Sequence, residues 1–139
     1  MAITFQNRNF EFQLKEKTRL KKWVQQIIAL EKCRLGQLNF AFTSDEELLQ
    51  VNQQYLNHNT YTDIITFDYC EGNTIHGDIL ISVERVRENA IKFSIPFEQE
   101  LARVMIHGVF HLCGYGDKTK KESEEMRKKE NGALKKRMV

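Results

Sequence analysis

Two β-rich runs, DIITFDYC (63–70) and TIHGDILIS (74–82), are separated by only three residues, Glu71-Gly72-Asn73. A connection that short joins antiparallel neighbours, because a parallel return needs a crossover of a dozen residues or more. Upstream, ITFQNRNFEF (3–12) alternates like a strand, and GQLNFAFTS (36–44) reads as a second. Between them Leu20, Trp23, Val24, Ile27, Ile28 and Leu30 recur at helical spacing from Lys15 to Cys33. Each of these two strands is followed by a helix that can carry the chain to a parallel partner. The reading is therefore α+β, with a mixed sheet of about four strands, mostly parallel with an antiparallel edge hairpin, packed against about five helices.

Ser44 or Thr43 can cap the second helix, whose first turn holds Glu46 and Glu47 and which frays near 57–59. From Val83 the chain reads as helical over 83–93, from Pro96 to Gly114, and over 118–130, with Asn131-Gly132 as the expected break. No internal repeat or Pro/Gly-rich linker divides the 139 residues, so residues 1–139 are read as one domain with a basic C-terminal helix and tail at 118–139. That tail holds nine Lys/Arg against four Glu, which leaves the rest of the chain net acidic although the total is +2. An interleaved run such as KTKKESEEMRKKE reads first as the solvated face of a helix, with attraction to phosphate as the alternative. No apolar run reaches the roughly 20 residues of a membrane span, and no secretory signal opens the chain. Cys33, Cys70 and Cys113 are odd in number and form no C-x-x-C pair, so a reducing cytoplasm is the expected compartment.

Two of the four histidines, His107 and His111, lie four apart in the apolar helix 96–114. At about 100° per residue both imidazoles project from one face, about 6 Å apart along the axis, where they can meet one metal ion; two histidines hydrogen-bonded to backbone would look the same. Gly114 falls where the helix should stop and can take the left-handed conformation that reverses the chain. Three further residues reach about 10 Å, enough to bring the Asp117 carboxylate back. Two nitrogens, one oxygen and an open fourth position suit a catalytic zinc site. Cys113 lies about 200° round the helix from His111 and is a poor competitor.

MIHGVFHLCGYGD (105–117) resembles the signature H-G-x-L-H-L-x-G-Y-D-H of the YbeY family of bacterial endoribonucleases. TDIITF (62–67) and GDILIS (77–82) are similar to the family's T-D-V-L-S-F and G-D-I-x-I-S strands, in the same order, so the resemblance spans about residues 38 to 126. It implies a zincin-like metal-site helix with one zinc per chain. It also implies a single-strand-specific endoribonuclease that matures the 3′ end of small-subunit ribosomal RNA and acts in ribosome quality control. Single-stranded ribosomal RNA and the small ribosomal subunit are the implied partners, with no membrane. His107 and His111 take the first two metal positions, and the third histidine's slot falls on Asp117, which leaves the metal unit at about +1 and its water less acidified. An arginine that the family carries ahead of T-D-V-L-S-F aligns with Leu56, so the phosphate-holding cation must come from elsewhere. Arg85, Arg87, Lys118, Lys120 and Lys121 are the candidates, and Arg85, Lys118, Lys120 and Lys121 are the expected RNA contacts.

Two other classes compete. A metzincin-like zinc peptidase shares H-x-x-x-H-x-x-G-x-x-H/D, but its general base follows the first histidine, where this chain has Gly108. Gly108 either admits a wide substrate or packs closely against the sheet. A non-catalytic ribosome-associated metal-binding module is the third reading. Among other polar residues, His76 is expected on an edge strand facing water, His58 in an exposed turn, Asp63 and Asp78 in local backbone roles, and Tyr115 either in packing or over the site.

Overall fold

A computed structural model of the chain describes residues 2–56 and 62–137. The elements run β1 (Ile3–Asn7), α1 (Lys17–Leu30), β2 (Arg34–Thr43), α2 (Asp45–Leu56), β3 (Ile64–Asp68), β4 (Thr74–Ser82), α3 (Val83–Lys92), α4 (Phe97–Leu112) and α5 (Lys120–Arg137). The sheet order is β1-β2-β4-β3. β1 pairs with β2 and β2 with β4 in parallel, while β3 closes the hairpin antiparallel to β4 with Ile65 opposite Leu80. The mixed sheet with an antiparallel edge is the architecture expected from the short 71–73 turn.

Alternation along the strands sorts the core into two faces. Leu38, Phe40, Phe42, Ile79 and Ile81 meet the helical side formed by α1, α3, α4 and α5, together with Trp23, Met105 and Phe110. Ala41, Ile65 and Leu80 point the other way, onto Leu48 and Val51 of α2. α4 is nearly all apolar because it lies between the sheet and α5: ten of its residues are buried, leaving His107 and His111 half-exposed.

Ser44 is the cap of α2, its Oγ accepting from the Glu47 N–H at 3.1 Å; the 57–59 turn with His58 lies outside the described residues. Two expected boundaries and one strand placement are corrected. β1 stops at Asn7 instead of running to residue 12, since Asn9 takes φ +52° and the chain leaves the sheet while Phe10 and Phe12 pack onto the core. α5 continues through Asn131-Gly132 to Arg137. The glycine costs about 1 kcal/mol in a helix, which buried Ala133 and Leu134 and the 2.8 Å bond from the Trp23 indole N–H to the Ala133 carbonyl outweigh. His76 stands on β4, an interior strand, where its Nδ1 accepts from the Gln37 N–H at 3.1 Å.

Candidate metal centre

The end of α4 sets the site. Cys113 caps the helix and Gly114 follows at φ +106°. The Tyr115 N–H bonds the Phe110 carbonyl at 3.0 Å and the Gly114 N–H bonds that of His111 at 3.0 Å, the paired pattern of a Schellman motif. Its usual apolar contact is present as well, the Phe110 and Tyr115 rings meeting edge to face at 5.7 Å. This turn sends the chain back along the helix so that Asp117 arrives over the two histidines.

Asp117 Oδ2 lies 3.2 Å from His107 Nε2 and 3.3 Å from His111 Nε2. One ligand atom from each residue falls within 4.8 Å of the others, and among the described residues this is the one such group of His, Cys, Asp and Glu. Bonds of 2.0–2.2 Å in a tetrahedron put neighbouring donors about 3.3 Å apart, so the two Asp117–histidine separations suit ligands of one small divalent ion.

Both rings are held from behind. His107 Nδ1 contacts Glu130 Oε2 at 2.6 Å, and His111 Nδ1 donates to the Tyr115 carbonyl at 2.9 Å. With Nδ1 engaged, each ring offers its Nε2 lone pair to a metal, the arrangement that fixes tautomer and orientation in histidine metal sites. The rings cross at 85° with centroids 4.6 Å apart. Burial works against a charged His107, but the Glu130 hydrogen bond, with the charges of Glu130, Asp117 and Asp63, outweighs it and holds the imidazole above its usual value. Burial likewise opposes ionised Glu130, and its bonds to His107 and Arg103 overcome that and keep it below the usual carboxylate range.

Two hollows meet at this group. One, of about 270 Å³, is lined by Asp63, Arg103, His107, Asp117, Ser123, Arg127 and Glu130, among others. The second, of about 740 Å³, runs along the edge strand β3 past Asp63, Thr66, Asp68, His111, Asp117 and Lys118. Asp63 borders both, and burial raises its carboxyl above the ordinary range despite the pull of His107. It had been expected to serve only the local backbone. Its carboxyl does accept from its own backbone N–H and its carbonyl from the Ser82 N–H at 3.0 Å, and the residue also lines both hollows beside the metal group.

The expected RNA contacts are scattered. Lys118 lines the larger cleft, and Lys120 and Lys121 stand exposed on the first turn of α5. Arg85 is engaged by Asp45 at 2.7 Å and by Glu88 at 3.4 Å, an ion-pair network that anchors α3 to α2. Arg87 lies over the Phe97 ring at 5.3 Å in a separate cavity of about 320 Å³. Gly108 faces the sheet: a Cβ there would come within 2.9 Å of Ile79 Cδ1 and 3.0 Å of Ile64 Cδ1. Close packing, not access to the metal, is its role. Tyr115 is tied down through its hydroxyl to Glu31 at 2.6 Å and orients His111 through its backbone.

Glu130 and Arg103 are functional neighbours that pattern reading passed over. Glu130 shares the buried face of α5 with Met126, Ala133 and Leu134, but that face shows only once the helix is seen to run through Gly132.

The match to a family model described as Endoribonuclease YbeY covers residues 3–137. An endoribonuclease YbeY of Flavobacterium psychrophilum is 53% identical over 129 residues, covering 93% of this chain and 92% of that protein. One from Bacteroides fragilis is 47% identical over 134 residues, 96% of each. The solution structure of TM1509 from Thermotoga maritima superposes with a TM-score of 0.68 at 30% identity, covering 97% of this chain and 88% of that one. With a family match over residues 3–137, relatives 47–53% identical over nearly their whole length and a solved structure of the same fold, the chain belongs to the endoribonuclease YbeY family.

Proposed function

We propose that this chain, acting as one metallohydrolase unit, is a zinc-dependent endoribonuclease specific for single-stranded RNA, with His107, His111 and Asp117 as its three protein ligands. One observation carries the reading: both histidines have Nδ1 occupied, by Glu130 and by the Tyr115 carbonyl, and turn Nε2 towards one carboxylate oxygen 3.2–3.3 Å away. Two imidazoles and a carboxylate with a solvent-facing fourth side form the donor set of a catalytic zinc rather than a closed structural one. Asp117, 40% exposed, leaves that side open.

A zinc bound there supplies Lewis acidity towards a phosphodiester oxygen and makes water a better nucleophile. The chain's own residues do the rest. Glu130 stabilises positive charge on His107 from behind, and the Tyr115 carbonyl keeps the His111 ring from rotating. Asp63, whose carboxyl burial raises above its usual range and which lines both hollows beside the group, can hand over or take up a proton at its carboxyl oxygen. The 740 Å³ cleft along β3 has room for an extended strand. A substrate in the 3′ region of small-subunit ribosomal RNA, a role in ribosome quality control and contact with the small subunit follow from the family resemblance, and a cytoplasmic location from the three cysteines without a C-x-x-C pair; no helix of the described residues is long and apolar enough to cross a membrane. The peptidase reading loses its basis at Gly108, where a side chain would run into Ile64 and Ile79 rather than reach a substrate.

Protein purified without added metal is expected to carry about one zinc per chain and to cleave single-stranded oligoribonucleotides. His111→Ala and chelation should each abolish both. Cleavage that persists in metal-free protein would overturn the reading.

A further inference from the structure

We propose that Arg127, with Ser123 and Lys120 on the same face of α5, forms a phosphate subsite that holds the RNA backbone beside the metal group. The inference rests on the nuclease reading above.

Ser123, Met126, Arg127 and Glu130 recur at steps of three, one and three along α5, so one face of the helix borders the 270 Å³ hollow that also contains His107 and Asp117. Met126 and Glu130 are the buried half of that face, and Ser123 and Arg127 the exposed half. The two arginines in the hollow differ in what they are free to do. Arg103 is engaged by Glu100 at 3.6 Å, Glu130 at 3.0 Å and Asn131 at 3.3 Å. Arg127 has no carboxylate within 4.0 Å among the described residues; it only lends its field to Glu130 and Glu100. A planar guanidinium with open donors matches a phosphate in two-point fashion.

Charge distribution selects this side. The cleft along β3 brings Asp63, Asp68 and Asp117 against a single cation, Lys118. The hollow beside α5 sets Arg103 and Arg127 against Asp63, Asp117 and Glu130, so with a divalent ion in place it is the side where a phosphate meets net positive charge. The helix terminus itself is not available as an anion site. Glu122 accepts from the Thr119 N–H at 3.1 Å while Thr119 Oγ1 accepts from the Glu122 N–H at 3.1 Å, a closed capping box. Binding must come from side chains, and Lys120, seven residues before Arg127, extends the same stripe about 10 Å along the axis.

The test compares zinc-loaded wild type with Arg127→Glu and Arg127→Lys, and with Lys22→Glu, an exposed residue of α1 outside the hollow, as a charge control. One charge-assisted phosphate contact corresponds to about 10- to 100-fold in kcat/KM. Arg127→Glu should lose that much, mainly through KM, with zinc content and melting temperature unchanged. Arg127→Lys should fall between, and Lys22→Glu should match wild type. The slope of log affinity against log salt should shallow by about 0.7 for the lost contact. Anisotropy with a labelled, cleavage-resistant 2′-O-methyl phosphorothioate oligonucleotide reads the subsite separately from the chemistry. Affinity lost in Arg127→Glu while wild type fails to cleave RNA would uphold the subsite and sink the nuclease reading. Wild-type cleavage with Arg127→Glu equal to it in affinity, salt slope and KM would overturn the subsite alone.

Discussion

Glu130→Gln is the substitution that tests the metal centre without touching a ligand. The side chain is 5% exposed, with Oε2 2.6 Å from His107 Nδ1 and Oε1 3.0 Å from Arg103. Glutamine keeps the volume and a possible acceptor for the ring N–H, and it deletes the charge that makes the imidazole a stronger donor. Losing such a partner behind a ligating histidine typically lowers metal affinity about 10- to 100-fold, or about 1.4–2.7 kcal/mol. Alanine would be a blunter probe, because breaking a buried ion pair costs about 3–5 kcal/mol of stability. In Glu130→Ala the Arg103 guanidinium would be left with Glu100 at 3.6 Å, Asn131 at 3.3 Å and a void. Competition for zinc against a chromophoric chelator at neutral pH measures the predicted loss, and RNA cleavage at saturating zinc should recover most of the activity. Wild-type zinc affinity in Glu130→Gln, with an unchanged melting temperature for the metal-free protein, would refute the argument that Glu130 acts through His107.

Residues whose roles depend on local chain geometry were legible in the sequence. The three-residue turn at 71–73 forces β3 against β4, the apolar spacing of 97–112 gives α4, and Gly114 marks the reversal that brings Asp117 over His107 and His111. What could not be read are relations between elements distant in sequence. Glu130 lies 23 residues from His107 and meets it only because α5 docks on α4. In the sequence it closes the charged run KKESEEMRKKE, where solvated acids look the same. Asp63 lies on the chain before β3, and the packing of α4 on the sheet sets it beside His107. His76 was assigned to an edge because hairpin strands usually lie there. The pairing of β4 with both β2 and β3 makes it interior, a topological fact with no local signature. The same blindness explains the break expected at Asn131-Gly132: glycine's helical cost is local, and the Trp23 anchor on Ala133 is 110 residues away.

Gly108→Glu should destabilise the fold by about 3–5 kcal/mol, through overpacking and an unpaired buried charge, because its side chain must displace Ile64 and Ile79. A well-folded Gly108→Glu that hydrolyses casein would refute both the packing role and the exclusion of a peptidase. The last prediction concerns Glu31, 16% exposed, which accepts from Lys129 Nζ at 2.8 Å and from the Tyr115 hydroxyl at 2.6 Å, so that it ties the end of α1 to α5 and to the turn carrying Asp117. Burial opposes its ionisation, but the bonds from Lys129 and Tyr115 prevail and hold the carboxyl below its usual range, and Lys129 rises to about 12. A carboxylate with a depressed folded-state value stabilises the protein above its unfolded-state value, and that contribution disappears as pH falls through the folded-state value. Denaturant titrations should therefore find Glu31→Gln less stable than wild type by about 1–2 kcal/mol at pH 7, with the gap closing below about pH 4. The alkaline limb adds nothing below about pH 10, since Lys129 keeps its proton up to about 12. A gap that stays constant from pH 7 to pH 3 would mean that Glu31 contributes by shape alone, and the charge link between α1 and the metal-site turn would have to be abandoned.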